Sequence, residues 1–220
     1  MTENVIITIG RQYGSGGREI GIRLAKKLEI PLYDHNLVAM AAKELGISEK
    51  EAKEADETAL EGFLSSYIVG PGDYAVYMNA EDDMRPLTDR VYRAQSEIIK
   101  RLANRSPCVI VGRCADYILS DCPKCISVFI CADKEDRIHR IAALRDLPER
   151  KAAEKIKKVD RERRYYYESN TGEEWGKSGT YQVILNVSRT GIEKAVDMLC
   201  LLYTSPSPRD YAASRMPSSA

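Results

Sequence analysis

Residues Ile6 to Ile22 read I-I-T-I-G-R-Q-Y-G-S-G-G-R-E-I-G-I. An apolar, β-branched run breaks into glycines and reopens as a helix-forming stretch, which commits the chain early to a strand–loop–helix unit. Glycines at 10, 14, 16 and 17 exceed what one tight turn needs. Closely spaced glycines let backbone N–H groups turn inward around an anion, at a helix N-terminus whose dipole favours negative charge. The outline is that of the phosphate loop G-x-x-x-x-G-K-[S/T], with departures. Aligning Gly16 with the second glycine puts Arg11 at the first glycine, Gly17 at the lysine and Arg18 at the hydroxyl. Arg11 and Arg18 keep a cation at hand, and Arg18 offers a planar fork of donors where lysine offers a point charge. Gly10, Arg11, Gly14, Ser15, Gly16, Gly17 and Arg18 are therefore the candidate phosphate-binding residues. The competing reading is a glycine-rich turn without a ligand.

A chain of 220 residues is enough for one α/β domain with a mobile subdomain. Its 33 basic and 33 acidic residues balance, so nothing argues for a surface that coats nucleic acid or meets an acidic partner. No run of about 18 apolar residues appears, and the N-terminus enters a strand without a signal-peptide pattern. The expectation is a cytosolic protein acting on small molecules, away from membranes and nucleic acid, with its oligomeric state open. Six cysteines stand at 108, 114, 122, 125, 131 and 200, mostly in or beside apolar segments, and are expected to be reduced thiols. Cys122-Pro-Lys-Cys125 has redox or half-zinc spacing, but no second C-x-x-C follows; a turn is the simpler reading, and no metal site is expected.

Along the chain, strands are expected at Val5–Ile9, Ile30–Asp34, Cys108–Gly112, Cys125–Cys131 and Tyr181–Val187. Helices are expected at Glu19–Leu28, Asn36–Leu45, Ser48 to about Ser65, Thr88–Ala103 and Gly191–Leu202. Ser48 with Glu51 three residues on is a capping box. Residues 69–86 read as a loop or subdomain edge. The charged stretch Asp136–Tyr167 reads as a solvated helix pair. Short apolar strands alternating with helices argue an α/β fold with a parallel sheet covered on both faces. From about residue 203 the chain turns to serine and proline without period and cannot bury a face, so 203–220 is expected to be disordered or a non-native extension.

Assembled in order, several segments resemble the cytidylate kinase-like family, a branch of the nucleoside monophosphate kinases. They are G-R-Q-Y-G-S-G-G-R-E-I-G at 10–21, P-L-Y-D at 31–34, V-I-V-G-R-C-A-D at 109–116, D-R-E-R-R-Y-Y-Y at 160–167 and W-G-K-S-G-T-Y-Q-V-I-L-N-V-S-R-T-G-I-E at 175–193. The likeness spans residues 1 to about 202. It implies a P-loop kinase-like three-layer fold with a parallel sheet, a helical acceptor-binding region and an arginine-rich lid at about 140–180. It also implies ATP and Mg²⁺ as cosubstrates and CMP or dCMP as acceptor.

The resemblance assigns Arg113, after a strand's carboxyl end, to the acceptor phosphate. The family's next aspartate is Cys114 here, with Asp116 as a substitute. Asp160 and Arg163 match the family's D-x-x-R lid pair, and at i and i+3 they share a helix face. A lid arginine four residues before Asp160 is replaced by Ile156, with Lys157 or Lys158 as stand-ins. Asp34 belongs to the acceptor region or caps the following helix. Asn186 lies where relatives carry an aspartate by the adenine, and Trp175 either stacks on a base or packs on the core. Phosphoryl transfer needs mainly positioning and positive charge, which arginines from separate segments supply. The catalytic candidates are thus Arg18, Arg113, Asp160 and Arg163, and the acceptor candidates are Asp34, Arg113, Asp116, Asp160 and Arg163. Two further readings stand beside this one: a nucleotide-binding regulatory protein with lost or weak transfer, and a kinase for a non-nucleotide small molecule.

Overall fold

The structure is a computed structural model that describes residues 5–34, 36–57 and 86–204. The strands are β1 (Ile6–Arg11), β2 (Leu32–Tyr33), β3 (Cys108–Val111), β4 (Cys125–Cys131) and β5 (Val183–Asn186). They form one sheet in the order β2-β3-β1-β4-β5, and every pairing is parallel. Central β1 pairs Ile6 with Cys108 on one side and with Cys125 on the other. A strand flanked and covered on both faces must be apolar throughout, and β1 buries every residue from Ile6 to Gly10.

Strand side chains alternate between faces, so the sheet sorts its own apolar residues into two cores. Ile7, Ile9, Val109, Val111, Val128 and Ile130 point to α1 (Gly17–Leu28), through Ile20 and Leu24, and to α9 (Ile192–Thr204), through Val196 and Leu199. Ile6, Cys108, Ile110 and Cys125 point the other way, to α2 (Asn36–Leu45) and α4 (Leu87–Arg105), through Leu37, Ala41, Ile98 and Ile99. The short helix α5 (Ala115–Ile118) joins this second face through Ala115. Three layers result. α3 (Glu49–Glu57) packs on α2 and α4 through Ala52, Ala55, Val38 and Val91.

The chain leaves β1 toward one face and leaves β3 toward the other. The carboxyl ends of these neighbouring strands therefore open onto a crevice, where open α/β sheets bind ligands. Over the β1 end of that crevice lies a hairpin of α6 (Lys134–Arg145) and α7 (Glu149–Thr171), which has a small core of its own: Ile141, Ala152 and Ile156, with Tyr13 against it. The remaining helix, α8 (Val187–Thr190), follows β5 directly and is N-capped by Asn186, whose side chain accepts the Ser188 N–H at 3.0 Å.

The expected elements are present with shifted ends. β1 runs on to Arg11, because Gly10 and Arg11 still pair with Phe129 and Ile130. α1 begins at Gly17, two residues before the expected start, and β2 is only Leu32–Tyr33. The capping box forms as read, with the Glu51 N–H donating to Ser48 Oγ at 3.2 Å and the Ser48 N–H to Glu51 Oε2 at 2.9 Å. Cys122 and Cys125 form a turn, the Cys125 N–H donating to the Cys122 carbonyl at 3.0 Å. All six cysteines are free thiols. Burial pushes Cys108 up to about 11 and Cys125 up to about 12, so both stay protonated at neutral pH and are poor nucleophiles and ligands. Residues 69–85 of the expected loop at 69–86, the end of the helix expected to reach Ser65, His35 and residues 205–220 of the expected tail lie outside the described residues; Pro86 is the N-cap of α4, and α9 continues to Thr204. Among the described residues no helix is long and apolar enough to cross a membrane.

Candidate active site

The loop between β1 and α1 takes its shape from glycines in the left-handed region. Gly14 has φ 81° and Gly16 φ 85°, and a Cβ on Gly14 would press against the backbone oxygen of Arg137 at 3.1 Å. Gly16 is the N-cap of α1 and supplies no side chain to its first amides. Amides at a helix N-terminus beside glycines in αL are a geometry that favours an anion. Ser15 braces the loop from inside: fully buried, it donates to the Gln12 carbonyl at 2.8 Å and accepts the Gly17 N–H at 3.4 Å.

Four arginines gather around the crevice. Arg11, with its side chain 16% exposed, reaches Asp34 at 3.7 Å. Arg18, 61% exposed, donates through Nε to the other Asp34 oxygen at 2.7 Å. Arg163 donates to the Arg11 carbonyl at 3.1 Å and lies over the Tyr13 ring at 5.5 Å. Arg113 follows β3 and lies over the Tyr166 ring at 5.8 Å. Burial, reinforced by the charges of Arg163, Arg113 and Arg18, lowers the Arg11 pKa to about 9 against the pull of Asp34. Burial likewise lowers Arg163. A partly buried arginine cluster of this kind favours an incoming anion.

The turn after β3 is wound tightly. Gly112, Arg113 and Cys114 have φ 78°, 60° and 53°, so two residues with side chains sit consecutively in the left-handed region. Each such residue costs on the order of 1 kcal/mol or more. Strain of this kind collects at sites where a side chain must point where regular backbone would not send it.

These residues border a cavity of about 690 Å³. Its floor is Gly10, Arg11, Gly112 and Arg113, and one side is the α7 face that carries Lys155, Lys158, Glu162 and Arg163. Its wall is aromatic, with Tyr165, Tyr166, Tyr167, Trp175 and Tyr181. The Tyr167 hydroxyl donates to Asp116 Oδ2 at 2.6 Å. Burial raises the Asp116 pKa despite that hydrogen bond. Trp175 meets Phe129 edge-on at 5.3 Å, which joins the wall to the core.

Asp160 is turned away from this cavity. One of its oxygens accepts the Tyr13 N–H at 2.7 Å and the other pairs with Arg137 Nη1 at 2.6 Å, so it ties the α6–α7 hairpin to the loop. Asp34 faces Arg11 and Arg18, while the amide of Asp34 donates to the Asn36 side chain at 2.8 Å. Ile156 is buried against Ile141 and Ala152, and Lys158 is the sequence-named lysine that lines the cavity. Asn186 donates to Asp133 Oδ1 at 2.9 Å as well as capping α8.

Sequence reasoning took α6 as a solvated helix and so passed over Arg137 and Arg140. Arg137 is buried at 8% exposure. The Arg140 guanidinium reaches the loop, 3.2 Å from where a Gly16 Cβ would stand, and pairs with Glu19 at 3.4 Å. The available signal was their i, i+3 spacing on the helix that follows the carboxyl end of β4. On the other side of the loop, Gly14, His139, Arg140, Val187 and Ser188 border a second cavity of about 460 Å³.

Comparison with known proteins bears on this arrangement directly. The family model described as the cytidylate kinase-like family matches residues 6–189. The chain belongs to that family. An uncharacterized protein from Eubacterium ventriosum ATCC 27560 is similar in structure, with a TM-score of 0.67 and 29% identity, covering 92% of this chain and 99% of the other. A gluconokinase from Sinorhizobium meliloti 1021 shares the fold at a TM-score of 0.50 and 15% identity, covering 98% of this chain and all of the other. None of the curated proteins compared matches the chain. The fold is that of the P-loop kinases, and family and fold together support a phosphotransferase.

Proposed function

We propose that the protein transfers the γ-phosphoryl group of ATP to a nucleoside monophosphate, with CMP or dCMP as preferred acceptor. The observation that carries this reading is the 690 Å³ cavity, which joins an arginine floor to an aromatic wall. A ligand with a phosphate at one end and a flat base at the other meets both. A small polyol would leave the wall unused.

The glycine loop suits donor phosphates through its backbone, since Gly14 and Gly16 both adopt the left-handed conformation at the start of α1. Mg²⁺ enters with ATP as part of the substrate. Position 18 lacks the usual hydroxyl, and among the described residues no cluster of His, Cys, Asp and Glu is set to hold a metal. Gly10 and Arg11, together with Gly14 to Arg18, hold and neutralise the donor phosphates. Arg113 takes the acceptor phosphate, with Asp34 setting the arginines around it. Arg163 stabilises charge on the group in transit, Asp116 orders the aromatic wall through Tyr167, and Asp160 is a positioning residue that holds the lid on the loop. No protein base is required, because the acceptor phosphate is already an anion near neutral pH.

A second reading, nucleotide binding without transfer, is favoured by one feature: Gly17 and Arg18 replace the lysine and hydroxyl that normally serve the γ-phosphate and Mg²⁺. A coupled assay of ADP release with a panel of nucleoside monophosphates separates the two. CMP- or dCMP-dependent release, lost in Arg113→Ala, is the expected result. ATP binding by calorimetry with no release for any acceptor would overturn the kinase reading in favour of the second.

A further inference from the structure

The Arg11 side chain leaves β1 through a space that two glycines keep clear. A Cβ at Gly17 would lie 2.6 Å from the Arg11 Cβ and 3.1 Å from its Cγ, and one at Gly112 would collide with the guanidinium itself. Gly17 opens α1 without a left-handed backbone, so it is packing, with Arg11 nearest and the Ile130 Cβ at 3.2 Å, and not strain, that excludes a side chain there. Gly17 is also the position at which the common loop carries its lysine, and Arg11 the position of its first glycine. Cation and glycine have exchanged places.

The guanidinium is built in for a ligand. Its Nη2 is 3.7 Å from an Asp34 oxygen that belongs to a carboxylate shared with Arg18. Its Nε is buried without a hydrogen-bond partner among the described residues, and an unmet buried donor on a cation is costly until an acceptor arrives. It borders the cavity at the crevice between β1 and β3, beside Arg113 and Arg163. Arg18, the sequence-favoured cation, is far more exposed and spends its Nε on Asp34.

We infer that Arg11 takes the place of the missing loop lysine as the cation that holds the phosphoryl group, and that Gly17 is a glycine in order to admit it. This deepens the kinase reading and rests on it for the word phosphoryl, but the anion site itself is read from geometry. In this arrangement the cation rises from the sheet instead of from the helix. Its fork gives two or more directed donors, so the phosphoryl oxygens are oriented as well as neutralised.

The test is calorimetric titration of tripolyphosphate, a probe with neither base nor acceptor, into wild type, Arg11→Gly, Gly17→Lys and the Arg11→Gly/Gly17→Lys double variant, with thermal unfolding of each. Arg11→Gly should weaken binding about tenfold or more, as loss of a forked charge-assisted contact does. Gly17→Lys alone should melt lower, because its side chain is driven into Arg11. The double variant restores the usual lysine arrangement and should recover most of the lost affinity, a non-additivity that a purely structural role for Arg11 would not produce. Arg11→Gln fills the same space without the charge and carries the same expectation, so a folding failure of Arg11→Gly leaves the comparison intact. Unchanged affinity in these Arg11 variants, loss confined to Arg18→Ala, or a folded double variant that binds no better than Arg11→Gly would each overturn the inference. Failure of the kinase reading would show separately, as absent ADP release in a protein whose tripolyphosphate affinity still depends on Arg11.

Discussion

Asp160 shows how much one carboxylate carries when both of its oxygens are engaged. It meets the Tyr13 amide and the buried Arg137, so Asp160→Ala strands a guanidinium that is only 8% exposed. A loss of about 2–4 kcal/mol in denaturant unfolding is expected. Glu154→Ala, which breaks the exposed pair with Arg150, should stay within about 0.5 kcal/mol as the control. Asp116 makes a different prediction. Burial raises its folded pKa above the unfolded value of about 3.9. The folded state therefore keeps a proton that the unfolded state releases, and wild-type stability is lost as pH rises from the unfolded to the folded pKa. Asp116→Asn does not titrate. Its stability relative to wild type should climb from about pH 3.5 and level off above the folded pKa, read as a difference in melting temperature. A flat difference across that range would mean that the carboxyl is not desolvated. The pairing of Arg137 with Asp160 was hidden from the sequence because it joins two helices across 23 residues, and a charged helix face looks the same whether it meets water or a loop.

At the scale of elements, the glycine loop and the α6–α7 hairpin behave as one unit. Gly14 is pressed on by the Arg137 backbone and the Ile141 side chain, at 3.1 and 3.0 Å from a would-be Cβ, and its φ is 81°. Gly14→Ala should therefore cost about 2–3 kcal/mol, from the left-handed backbone together with contacts that cannot give way. Gly46 has a similar φ of 68° with nothing within 4 Å, so Gly46→Ala should cost only about 1 kcal/mol. Urea unfolding of the pair separates strain from clash. Most elements were legible in the chain because each rests on a local rule. β1 is a buried apolar run, Ser48 and Glu51 form their box, and Asn36–Leu45 is a helix from end to end as read. Element ends were less legible. The ladder to β4 extends β1 through Gly10 and Arg11, and a long-range partner leaves no mark on local periodicity.

Across the whole molecule, the sheet order brings the ends of β1 and β3 together, and with them Arg11, Arg113 and the gathered charge of α7. The sequence announced which residue types would do the chemistry. It did not announce that Arg11 would displace a side chain at Gly17, since that contact joins a strand end to a helix start through space. The α6 face was misjudged for the same reason: charge alone does not reveal what a helix covers. The central claim is that this assembly moves a phosphoryl group between nucleotides, and ³¹P NMR of the protein with ATP, Mg²⁺ and CMP tests it most directly. The account predicts that CDP resonances grow in step with those of ADP; ATP left intact, or consumed to ADP and inorganic phosphate without CDP, would contradict it.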